Sequence, residues 1–207
     1  GLGKELKAKA DLKITTLNQT TVAPWVKLPA DLEWIVEQID FKVNGPVNDP
    51  RKLKAAFHLN ASGIRAGGVK LDKARIEGAL EQGKLTAQVT EMSAGTNRLV
   101  ARASSELPAA WADVAKMTIG AEASADFPEV AQFFTGQAPL TGQMNGKFTA
   151  TLSQGKLNAA TAEIEGKQWL TQGVPVQSLA LKANTDGRDL KVTSLRASLD
   201  ANNFIDA

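Results

Sequence analysis

Apolar and polar residues alternate with a period of two along most of this chain, and nothing else in the sequence restricts its fold so severely. Leu6, Ala8, Ala10, Leu12 and Ile14 are interleaved with Lys7, Lys9, Asp11 and Lys13. Ile39, Phe41 and Val43 alternate with Asp40 and Lys42, and Leu53, Ala55, Phe57, Leu59 and Ala61 with Lys54, His58 and Asn60. Met117, Ile119, Ala121, Ala123 and Ala125 are spaced in the same way, as are Leu140, Met144, Phe148, Ala150 and Leu152. A strand written like this has one dry face and one wet face. The doubly buried parallel sheet of α/β enzymes is thereby excluded, and an antiparallel all-β fold is expected.

The punctuation fits hairpins and meanders. Asn44-Gly45-Pro46, Asn48-Asp49-Pro50, Gly67-Gly68, Gln82-Gly83, Gln154-Gly155 and Asp186-Gly187 separate the alternating runs, and these residues tolerate φ > 0 or fix φ. Helical signal is confined to Leu107–Lys116, with Pro108 near its start, and to Asp126–Phe134, where Asp126 is placed to cap and Phe127, Val130 and Phe134 fall on one side. About ten to twelve strands at about 4.8 Å each would make a sheet some 50–60 Å long.

Displacing the sequence by 105 residues aligns Gly68-Val69 with Gly173-Val174, Leu85 with Leu190, Ser93 with Ser198 and Asn97 with Asn202. In the first copy the alternation set by Val69 and Leu71 flips phase to Ala74 and Ile76. In the second, Val174 and Val176 flip to Leu179 and Leu181 at the same offset. A repeated phase flip implies a repeated bulge or tight turn. The expected organisation is copy one over about 46–106, copy two over about 140–207, and a helical connection over about 107–134. The chain starts on Gly1 and stops inside an alternating run at Ala207, so it reads as a piece of a longer repeat protein.

Chemistry is hard to find in the pattern. With no cysteine and a single histidine, the usual thiolate or imidazole metal sites cannot be assembled, and there is no Asp-x-Asp-x-Asp-Gly loop. His58 lies on the polar phase of its strand, away from any cleft a catalytic triad would need. Gly142-Gln143-Met144-Asn145-Gly146-Lys147-Phe148 is one residue short of a phosphate loop and ends in phenylalanine where a metal-binding hydroxyl belongs. Carboxylate pairs such as Glu33 with Glu37 and Glu163 with Glu165 fit exposed strand charges better than acid–base catalysis. With 24 basic and 22 acidic residues the net charge of +2 gives no reason to expect nucleic acid as a partner. No stretch is long and apolar enough for a spanning helix. The expectation is a protein that is not an enzyme and carries no cofactor or metal.

Two stretches carry a resemblance. They are GGVKLDKARIEGALEQGKLTAQVTEMSAGTNRLVARASSEL and GKLNAATAEIEGKQWLTQGVPVQSLALKANTDGRDLKVTSLRASLDANNFIDA. Their style of strand, glycine turn and strand resembles the repeats of the AsmA and TamB-like proteins of the Gram-negative envelope. The resemblance covers nearly the whole chain, most strongly 46–106 and 140–207. It implies a periplasmic segment of a protein anchored in the inner membrane through parts outside this sequence. The implied fold is an elongated antiparallel sheet curled like a taco around a greasy groove. The implied role is carrying phospholipid between the two membranes or, for TamB-like members, assisting outer-membrane protein assembly.

A one-sided sheet must cover its apolar face, either against a second sheet as a sandwich or by curling into a trough. Here that face is rich in small residues, including Ala87, Ala101, Ala103, Ala121, Ala123 and Ala150, and small side chains leave room for acyl chains. The side chains expected to line such a groove are Leu53, Phe57, Leu59, Ile76, Met117, Ile119, Met144, Phe148, Leu179 and Leu181. The expected partners are phospholipid or another apolar ligand, with an outer-membrane β-barrel protein as the client of the alternative reading, in which exposed strand edges pair with an unfolded strand. Trp25 and Trp111, beside Pro24 and Pro108, read either as plugs at the ends of a core or as anchors on a groove rim.

Overall fold

A computed structural model describes residues 6–25, 27, 29, 31–200 and 203–207. Its strands are β1 (Lys7–Asn18), β2 (Glu33–Pro46), β3 (Lys54–Ala66), β4 (Val69–Glu81), β5 (Lys84–Ala94), β6 (Asn97–Glu106), β7 (Thr118–Phe127), β8 (Leu140–Ser153), β9 (Lys156–Thr171), β10 (Val174–Thr185), β11 (Leu190–Ser198) and β12 (Phe204–Asp206). They form one antiparallel sheet in which each strand lies beside its neighbours in sequence, from β1 at one edge to β12 at the other. At about 4.8 Å per strand the sheet is about 53 Å long. The all-β, elongated antiparallel fold expected from the alternation is therefore present, as a single open layer.

The register explains the alternation. Residues directly opposite one another in a ladder point to the same face. Ile14, Ile39, Leu59, Ile76, Val89, Ala101, Ala123, Phe148, Ala162, Ala183 and Val192 form one row across eleven strands, with no polar side chain in it. The row beside it runs Lys13, Asp40, His58, Glu77, Gln88, Arg102, Glu122, Thr149, Thr161, Asn184 and Lys191, on the other face. Cross-strand ion pairs decorate the wet face, including Lys42–Asp11 at 3.6 Å, Lys54–Glu81 at 3.7 Å and Lys182–Glu163 at 3.1 Å. Such exposed pairs add little stability each. Their use is to penalise a one-residue slip, which would turn every apolar side chain outward.

The helical segments are shorter than the sequence suggests. Leu107–Lys116 yields a 3₁₀ turn at Trp111–Lys116, and Asp126–Phe134 yields one at Val130–Phe133. Asp126 does not cap a helix, because β7 continues through Phe127: Asp126 lies opposite Arg98 and Asn145, and the ladder claims its backbone. Phe127 stacks edge-on with Phe133, centroids 4.7 Å apart, in place of sharing a helix face with Phe134. The expected helical connection over 107–134 thus contains a sheet strand in its middle. One element, the single-turn helix α1 (Gln19–Val22), had no sequence expectation; Asn18 Oδ1 caps it by accepting from the Thr21 N–H at 3.1 Å.

Backbone irregularities sit at matched positions. The β3–β4 ladder skips Gly63 opposite Asp72, and the β9–β10 ladder skips Gln168 opposite Gln177. Gly63 has φ +59° and Gln168 has φ +53°, and the two are 105 residues apart. The hairpin turns that follow, Gly67-Gly68 and Gln172-Gly173, are separated by the same interval and have φ of +56° and +81°, and of +49° and +80°. The left-handed residues lie on β3 and β9, and the phase flips read from the sequence fall on the partner strands β4 and β10, at the skipped positions Asp72 and Gln177.

Candidate functional site: an uncovered apolar trough

The described strands leave the apolar face without a facing layer. The chain exposes 13690 Å², whereas a compact protein of 21.9 kDa exposes about 9,300 Å². Only seven apolar side chains are buried among the described residues: Leu53, Ala61, Ala74, Ala94, Ala125, Val130 and Pro50. Ten of the eleven side chains of the apolar row are half-buried by their neighbours in the sheet and Val192 is exposed; an apolar surface running over eleven strands with no described layer against it is larger than the patches soluble monomers ordinarily leave in water.

Two long connections, one on each side of β7, strap the rims of this face. On one rim, residues 107–117 fold back over the β4–β5 turn: the Leu107 N–H donates to Gly83 O at 2.7 Å, and Trp111 Nε1–H donates to Val47 O at 2.6 Å. On the opposite rim, residues 128–139 reach back to the β3–β4 turn, where the Thr135 N–H donates to Gly68 O at 2.8 Å and Phe134 bridges to Val69. Asn97, fully buried, clamps this second strap. Its Nδ2 donates to Glu129 O at 2.8 Å and its Oδ1 accepts from the Glu129 N–H at 3.0 Å. The Thr96 N–H completes the clamp by donating to Gln132 Oε1 at 2.6 Å.

Between the straps runs a trough of about 240 Å³, lined along β4–β8 by Ile76, Ala87, Val89, Ala101, Ala103, Ala121, Ala123, Phe148 and Ala150; Gln88, Arg102, Glu122 and Thr149 also border it, but the register directs their side chains to the wet face. The small residues of two adjacent rows make its floor. In the second row Gly78, Ala87, Ala103, Ala121, Ala150 and Ala160 follow one another across six strands. The floor has no charged or hydrogen-bonding side chain pointing into it, and its backbone amides are engaged in the ladders. It can hold hydrocarbon and has nothing with which to bind a polar group.

Of the residues expected to line a groove, Leu59, Ile76 and Phe148 lie in the first row and Phe57 in the second. Leu181 lies in a third apolar row, opposite Ile164 and Leu195. Ile119 is opposite Leu152 near one rim, while Met144 and Leu179 flank Gly166 near the other. Leu53 and Met117 precede β3 and β7, at the ends of the 3₁₀ turns Pro50–Lys52 and Trp111–Lys116, on the rim rather than on the floor. Sequence reasoning did not place Trp169, since the strand phase flips next to it at Gln168; it lies near the same rim as Met144, outside the lining of the trough. Its indole lies over Gly166, whose added Cβ would stand 2.5 Å from the ring, and its Nε1–H donates to Gln143 O at 2.5 Å. Trp111 is half exposed on the rim and Trp25 is 80% exposed.

The remaining candidates for chemistry stand apart from one another. His58 Nδ1 lies 3.6 Å from Glu77 on the wet face. Glu33 pairs with Arg65 at 3.3 Å, and Glu163 with Lys182. No group of three or more His, Cys, Asp or Glu that could hold a metal ion is present among the described residues. No helix among them is long and apolar enough to cross a membrane. No protein-family model, curated protein or solved structure matches the chain.

Proposed function

We propose that this chain is a non-enzymatic conduit segment of an AsmA/TamB-like envelope protein, periplasmic, whose trough carries the acyl chains of phospholipid between the inner and outer membranes. The observation that carries the reading is the unbroken apolar row of eleven side chains on a face that no described strand covers. Burial of about sixteen methylenes is worth on the order of 12 kcal/mol, and an apolar floor supplies it without a specific contact. A chain sliding over such a floor exchanges one apolar contact for another, with no hydrogen bond to break, while the headgroup stays in water between the straps.

The trough also argues against a polypeptide as its cargo. An extended peptide would bring backbone N–H and C=O groups onto a floor with no partners for them.

Native mass spectrometry of detergent-free protein, followed by solvent extraction, tests the proposal. Stoichiometric phospholipid that is absent from folded Ile119→Glu supports it. A protein that stays empty when phospholipid vesicles are added refutes it.

A second reading rests on the outer edge of β1, which is twelve residues long and, among the described strands, is laddered to β2 alone. That edge is a template for an incoming strand of an outer-membrane barrel protein. Photocrosslinking from β1 to such a client, with no lipid recovered, would favour it.

A further inference from the structure

Phe148 lies flat on the trough floor because Gly146, two residues earlier on the same face of β8, has no side chain. A Cβ at Gly146 would stand 2.7 Å from Cε2 and 2.8 Å from Cζ of the ring. Gly146 is buried beneath the ring. The floor therefore changes along its length: alanines line it over β5, β6 and β7, and at β8 the ring of Phe148 lies across it as a step. Between β4 and β8 the floor also twists, by about 20° per strand and so by about 80° in all.

From this geometry we infer that the trough selects flexible, unbranched hydrocarbon chains over rigid polycyclic lipids, with Phe148 as the selecting side chain and Gly146 as the residue that positions it. A chain of single bonds follows the twist and rises over the step by rotating a few torsions. A fused ring system needs a straight section of constant width, and the step at Phe148 interrupts the floor where β7 gives way to β8. Truncating Phe148 levels the step and lets a rigid ligand lie across β7 and β8. A methyl group at position 146 lifts the ring further into the trough.

The inference rests on the reading of the trough as a lipid path, and the experiment separates the two. Binding of palmitic acid and of cholesterol, each delivered from cyclodextrin to the detergent-free protein, is measured side by side by native mass spectrometry. The native protein is expected to bind palmitic acid at least tenfold more tightly than cholesterol. Phe148→Ala should raise cholesterol affinity at least tenfold and leave palmitic acid within threefold, while Gly146→Ala should weaken palmitic acid at least tenfold. If Gly146→Ala does not fold, the change of preference in Phe148→Ala decides alone. Equal affinities in the native protein, or a preference unchanged in Phe148→Ala, overturn the selectivity while leaving the lipid path in place. Failure of the native protein to bind either probe overturns both.

Discussion

Ala101→Phe puts a large ring in the middle of the trough, and its effect separates an uncovered face from a hidden core. Ala101 is on β6, opposite Val89 on β5 and Ala123 on β7, at the centre of the five-strand reach. In a closed sandwich an added ring meets a facing layer, and overpacking of this kind costs about 1–3 kcal/mol. In a protein of this size that lowers Tm by roughly 2–12 °C. With no facing layer the ring lies over its neighbours, phenylalanine suits a strand, and stability should change by no more than about 0.5 kcal/mol, or about 2 °C. Ligand binding should respond in the opposite sense. A sixteen-carbon chain gains on the order of 12 kcal/mol on leaving water, and a ring at the midpoint denies it at least about a quarter of that contact. Roughly 3 kcal/mol is a loss of more than 100-fold in affinity. Thermal unfolding by circular dichroism and palmitic acid binding are read on the same sample, with Val100→Phe on the wet face as the control. A fall in Tm beyond about 5 °C would mean that something covers the face. Unchanged Tm with unchanged binding would mean that the trough is not where the chain lies.

Three further expectations concern the frame that holds the trough. Asn97→Ala leaves the N–H and C=O of Glu129 without their buried partner; at about 1–3 kcal/mol for each orphaned group, Tm should drop by at least about 4 °C, and hydrogen exchange should accelerate in 128–135 before it does in the strands. Gln168→Gly relieves a left-handed backbone (φ +53°) that glycine adopts without penalty, as Gly63 does 105 residues earlier; a gain of about 0.5–1 kcal/mol in urea denaturation is expected, and destabilisation would refute the assignment of strain. Asp186 accepts from the backbone N–H groups of Asp189 at 3.1 Å and Arg188 at 3.0 Å, and these bonds hold its carboxyl below the usual range. Because the folded value is the lower one, this turn is stabilised above the unfolded value of about 3.9 and loses that support as the pH falls through the folded value. Amide exchange at Arg188 and Asp189 should rise on that acid limb in the native protein and lose its pH dependence in Asp186→Asn.

How much of this was legible beforehand depends on the range of the interaction concerned. Alternation is a local property, so the strands, their one-sidedness and the antiparallel class could be read from runs such as Lys7–Ile14 and Met117–Ala125. The phase flips near Leu71 and Val176 were equally visible as breaks in period, and they coincide with the skipped ladder positions at Asp72 and Gln177. The 3₁₀ turns were overestimated as helices, since whether Asp126 and Phe127 cap a helix or extend a strand depends on Arg98 and Asn145 lying alongside. The straps were not legible. Asn97 and Glu129 are 32 residues apart, and Trp111 and Val47 are 64 apart. No short pattern announces a hydrogen bond of that span.

The sequence by itself therefore determined a sheet with one face of hydrocarbon, because side-chain direction in a strand follows residue parity. Whether that face met a second sheet or stayed uncovered is a matter of where whole strands go. Parity is silent on this, since Leu59 or Ala123 satisfies it equally in a sandwich and in a trough. The tertiary structure decided it by pairing each described strand with its neighbour in one continuous layer, with no described strand laid over the apolar face. It also decided the shape of the floor, through Gly146, whose missing side chain lets Phe148 lie against the sheet.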